Sequence, residues 1–143
     1  MKYELYHHGI LGMKWGIRRY QNEDGTLTAA GKRRYNSQQK DLKSIGEADE
    51  KVHKMSKDIQ RALDETPKGV TPLFTKDVKE AYEKALSDYE KEVNRLIKKY
   101  GDRIDSYKRS MDDGYEYVVY ALDDPKLGGV LEYFAYPNKK VNK

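Results

Sequence analysis

Cysteine is absent from all 143 residues, which removes disulfides, a thiolate nucleophile and any Cys-based zinc site. No apolar run approaches the roughly 20 residues needed to span a bilayer. The opening MKYELYHHGILGMKWG also lacks the apolar stretch of a secretory leader. The expectation is a chain without membrane association, made and kept in the cytoplasm. Large aliphatic-aromatic cores are disfavoured as well: there are two phenylalanines and one tryptophan against 13 tyrosines. Tyrosine buries its ring and keeps its hydroxyl wet, which suits thin cores and contact surfaces. With 37% hydrophobic and 36% charged residues, burial has to be concentrated on narrow faces, and one domain is the natural size.

The signatures of catalysis and of bound groups are missing too. His7, His8 and His53 have neither HxxxH nor HExxH spacing, so no metal site is read. Ser37, Ser44, Ser56, Ser87, Ser106 and Ser110 stand outside any GxSxG elbow. The doublets Asp112-Asp113 and Asp123-Asp124 precede glycine or proline, where aspartate serves local turn hydrogen bonds. Gly9, Gly12 and Gly16 do not follow a strand or lead into Lys-Ser/Thr, as a phosphate loop would. A non-enzymatic protein without cofactor is expected.

What is present reads as helices followed by strands. Thr28 is suited to cap a helix running from about Ala29 to Asp64, with Leu42, Ile45, Ala48, Val52, Met55, Ile59 and Ala62 recurring in steps of three and four. Gly46 falls inside this run and predicts a bend or a close crossing. Residues 65–74 hold two prolines and a glycine and connect to a second helix capped by Thr75 and stopped by Gly101. Val78, Tyr82, Ala85, Tyr89, Val93, Leu96 and Tyr100 form its stripe. The two stripes predict an antiparallel helical hairpin, and the tyrosines of the second could equally seal a homo-oligomer. Residues 115–122 and 130–136 are rich in β-branched and aromatic residues, apolar on both faces, and predict a β-hairpin around 123–129 that packs on the helices or completes a sheet elsewhere. The tail from Pro137 is polar and is read as frayed. The predicted fold is thus α+β, mainly helical: a Gly/Trp/Arg module over 1–27, a helical hairpin over 28–101, and a β-hairpin with tail over 102–143.

Charge is uneven. Nine basic residues (Lys2, Lys14, Arg18, Arg19, Lys32, Arg33, Arg34, Lys40, Lys43) face four acids (Glu4, Glu23, Asp24, Asp41) before residue 44, while the whole chain carries only +4. Arg18, Arg19, Lys32, Arg33, Arg34 and Tyr35 flank an Asp24-Gly25 turn and are candidate nucleic-acid contacts; the alternative is a solubilising face or salt bridges to the acidic helices.

The stretch HHGILGMKWGIRRYQNEDGTLTAAGKRRY, residues 7–35, carries His8, Gly9, Gly12, Met13, Lys14, Trp15, Gly16, Arg18 and Arg19, then Gly25, Leu27, Thr28 and Gly31. It resembles a short module of proteins encoded by tailed phages and prophages of Gram-positive bacteria, often near head-assembly genes. The resemblance covers about a fifth of the chain and implies a phage protein acting inside the bacterial host or in the virion. Trp and Arg among glycines have the make-up of an interface anchor; Trp15 could equally plug the end of the helical hairpin. Met13, Lys14, Trp15, Ile17, Arg18, Arg19 and Tyr20 are therefore the candidate partner-binding residues. The partner expected is another phage protein of virion or head assembly. The alternatives are a host-defence protein, such as a CRISPR effector nuclease that the chain inhibits, or nucleic acid bound directly.

Overall fold

The computed structural model describes the backbone of residues 3–6 and, in full, residues 20–22, 24–71 and 74–141. The chain is a mixed helix-and-sheet fold. It runs β1 (Tyr3–Tyr6), α1 (Ala29–Glu65), α2 (Lys76–Tyr100), a single 3-10 turn (Gly101–Arg103), β2 (Ile104–Ser110), β3 (Tyr115–Asp124) and β4 (Gly129–Lys140). The strands form one sheet of order β1-β4-β3-β2, antiparallel throughout.

Both helices begin where the capping chemistry predicts. The Thr28 hydroxyl accepts from the Gly31 amide at 3.1 Å, and the Thr75 hydroxyl from the Val78 amide at 3.2 Å, each satisfying one otherwise orphaned donor. α1 stops before Pro67, where the Thr66 hydroxyl donates to the Ala62 carbonyl at 2.7 Å. α2 stops at Gly101, whose φ of 63° is a conformation that side chains disfavour. The Asp24-Gly25 turn also forms: Gly25 has φ 86°, and an isolated bridge joins Gln21 to Leu27.

The sheet stands where the sequence predicts only a hairpin. The β3–β4 pair is its centre, flanked by β2 on one side and β1 on the other. Ile104–Ser110 escapes a pattern reading because it is an edge strand with an almost wholly exposed, polar sequence, as edges that avoid aggregation tend to be. The tail is not frayed either. β4 continues to Lys140, pairing Lys139 with Glu116 and Lys140 with Tyr115, and the Val141 amide donates to the Gly114 carbonyl at 2.7 Å. Its polarity reflects a solvent-facing strand end rather than loss of structure.

The core lies between one sheet face and the near half of the helical hairpin. Leu42 and Ile45 of α1 and Leu96 and Tyr100 of α2 pack on Leu122, Leu131 and Tyr133, with Tyr35 and Tyr89 at the margin. Gly46 marks the closest crossing: a Cβ there would lie 2.5 Å from the Tyr133 ring. The opposite sheet face is buried as well, through Val119, Ala121 and Phe134. Beyond Gly46 no α1 residue is buried, and before Ala85 no α2 residue is. The predicted seam of two stripes therefore holds only near the sheet, because the sheet supplies the third layer that a two-helix seam needs.

Candidate interaction surfaces

Three buried carboxylates join the elements and decide which charged groups remain available. Asp124, at the β3–β4 turn and 1% exposed, accepts from Arg34 Nε at 2.6 Å and Nη2 at 3.1 Å, and from Gln38 Nε2 at 2.7 Å. Burial alone would raise its pKa, but the hydrogen bonds from Arg34 and Gln38 outweigh that and hold it below the ordinary aspartate value. Asp41 accepts from Lys99 Nζ at 2.7 Å, Arg95 Nη2 at 3.1 Å and the Tyr100 hydroxyl. Its pKa is likewise held down against burial by Lys99, Tyr100 and Arg95, while burial and then Asp41 push the Tyr100 phenol up. On the far sheet face, Glu132 accepts from the Tyr107 hydroxyl and, at 2.9 Å, from Arg109. A fourth acid, the half-buried Asp49, takes the hydroxyls of Tyr120 and, at 3.0 Å, Tyr136. His53 stacks on Tyr136 with ring centroids 4.5 Å apart.

These bonds revise the basic cluster read from the sequence. Arg34 is a structural clamp, since its guanidinium is spent on Asp124 and rests over the Tyr20 ring at 5.0 Å. Tyr35 packs against the core and is no stacking platform. Tyr20, a candidate partner anchor, belongs to the fold: its carbonyl accepts from the Thr28 amide at 3.0 Å and lies against Gly31, where a Cβ would be 2.0 Å away. Lys32 and Arg33 are exposed on α1. Met13, Lys14, Trp15, Ile17, Arg18 and Arg19 lie outside the described residues.

Two surfaces stand out among the described residues. One is a cleft of ≈ 430 Å³ where the start of α1 meets the end of α2, lined by Arg33, Arg34, Lys99 and Arg103 together with Ser37, Gln38 and two tyrosines. Sequence reading found Arg33 and Arg34 but missed Lys99 and Arg103, which sit over 60 positions further along and reach the cleft only because the hairpin folds back. The other is a largely apolar groove of ≈ 470 Å³ in the far half of the hairpin, walled by Met55, Ile59 and Ala62 of α1, Phe74, and Val78 and Ala81 of α2, with Asp58 and Asp77 also lining it. At the same end of the hairpin Leu63 is 42%, Val70 57% and Val78 39% exposed. Among the described residues, no three His, Asp or Glu side chains converge as a metal site would require, and no helix is long and apolar enough to cross a membrane. Neither protein-family models nor curated proteins nor solved structures yield a match to this chain.

Proposed function

We propose that the chain is a phage-encoded, non-enzymatic interaction protein, a virion-associated or head-assembly accessory that docks another phage protein. The observation that carries this reading is the largely apolar groove in the far half of the hairpin, together with the exposure of Leu63, Val70 and Val78 at the same end. Exposed apolar surface of this kind on an otherwise highly charged chain is characteristic of contact sites. The resemblance of residues 7–35 to a module of tailed-phage proteins supports the choice of partner. Trp15 with Arg18 and Arg19 supplies the second anchor of the proposal. The buried carboxylates support binding over catalysis, since Asp41, Asp124 and Glu132 are each engaged in joining elements.

The test is affinity copurification of the tagged chain from phage-infected cells, alongside Val78→Glu and Trp15→Ala. The expected result is a phage structural protein in the eluate, lost with either substitution while the melting temperature stays within a few degrees. Absence of the chain from both virions and proheads would overturn the reading. Recovery of a host immune nuclease instead would replace it with antagonism of host defence.

A further inference from the structure

The basic cleft has more positive charge than the fold uses. Four cations line it, Arg33, Arg34, Lys99 and Arg103, and among the described residues no acid does. The carboxylates that offset them are shared. Asp124 serves Arg34 at 2.6 Å and Arg103 only at 3.9 Å; Asp41 serves Lys99 and Arg95 together. Arg33 forms no ion pair among the described residues. Cations gathered from two separate segments repel one another, and an incoming anion relieves that repulsion.

The cations also converge on one concavity rather than lying along an open face: Arg33 and Arg34 come from the start of α1, Lys99 from the end of α2 and Arg103 from the turn after it. Gln38 on the same wall is 4% exposed and donates through Nε2 to the Asp124 carboxylate, so it serves the clamp beneath the cleft. Both rings of the cleft already carry cations: Arg34 lies over Tyr20 at 5.0 Å, and Lys99 and Arg103 over Tyr100 at 5.2 and 5.5 Å. Recognition by base stacking is therefore secondary, and the anion is read through its charge and oxygens.

We propose that this cleft binds the phosphate of a nucleotide, with Arg33 and Arg103 as the ligand-facing cations. The shared chemistry is a nucleotide phosphate, presented either by a free mononucleotide or by a strand. The inference does not depend on the docking reading, which is carried by the groove at the other end of the hairpin.

The full chain is titrated against a fluorescein-labelled 12-mer oligothymidylate by anisotropy at 50 mM salt, and against AMP by calorimetry. The Arg33→Gln/Arg103→Gln double variant and, as a charge control at the far end of α1, Arg61→Gln are run in parallel. The expected result is binding of at least one probe, weakened about tenfold in the double variant, with a shallower salt dependence for the strand. Unchanged melting of that variant and unchanged affinity of Arg61→Gln complete the expected pattern. Displacement of the strand by AMP identifies a mononucleotide site; strand binding that AMP leaves untouched identifies a backbone site, and both uphold the proposal. No binding of either probe at millimolar protein or ligand would overturn it, as would equal weakening by Arg61→Gln.

Discussion

Asp124 shows how much one side chain decides. It fixes the β3–β4 turn through the Lys126 amide at 3.1 Å and ties that turn to α1 through Arg34 and Gln38. Breaking a buried pair strands its partner, so Asp124→Ala should cost about 3 kcal/mol, near the lower end of the usual range because Arg34 keeps 25% of its side-chain exposure. A urea midpoint shift below ~1 kcal/mol would contradict the clamp. The same group sets an acid limit. The folded pKa values of Asp41 and Asp124 lie below the ordinary 3.8, so the unfolded chain binds more protons there. Their contribution to stability is complete above that ordinary value and is lost as pH falls through the folded values. Unfolding followed from about pH 5 to about pH 2 should show this loss, and Asp124→Asn should flatten part of it. A profile identical in both proteins would refute the assignment.

At the scale of elements, two helical glycines act against their local propensity. In an open helix, glycine-to-alanine substitution gains about 1 kcal/mol. Here a methyl at Gly46 would meet the Tyr133 ring at 2.5 Å, and one at Gly31 would meet the Tyr20 carbonyl oxygen at 2.0 Å. Overpacking costs about 1–3 kcal/mol, which exceeds the gain, so both alanine variants should be destabilised. Gly31→Ala should suffer more, because it collides with backbone that also holds the Thr28 amide, whereas the Tyr133 ring has some freedom to tilt. Denaturant titration of the two variants checks the order; stabilisation of either would refute the packing described. The glycine that resembles part of a phage module is, at this scale, the point where the segment before α1 lies down on the helix.

Across the whole molecule, stability is graded along the helical hairpin. Near the sheet, three layers bury Leu42, Ile45, Leu96 and Tyr100. In the far half, Met55 and Ile59 are only half-buried, and Leu63 and Val78 are exposed. Amide hydrogen exchange should therefore show residues 52–84 opening at lower free energy than residues 38–46 and 93–100. Uniform protection along α1 and α2 in the isolated protein would mean that the far groove is covered by a second copy. Such a gradient suits a projecting arm whose groove is completed by a partner.

Much of this was legible in residue order. Thr28, Thr75 and Gly101 mark helix ends because capping is local chemistry, and the steps of three and four from Leu42 to Ala62 mark a helix because its period is intrinsic. At Gly46 the sequence allows a bend or a close crossing, and the Tyr133 ring packed against it decides for the crossing. The edge strand Ile104–Ser110 was not legible: an edge needs no apolar alternation, only a neighbour with free hydrogen-bonding groups. Nor was the division of the basic residues. Arg34 and Arg33 are adjacent and chemically identical, yet one is bound to a carboxylate 90 positions away and the other faces a cleft completed by Lys99 and Arg103. Sequence by itself determined the elements, since backbone propensity and capping act over a few residues. Only the tertiary structure decided which charges are paired within the fold and which stay exposed, because electrostatic pairing depends on distance in space.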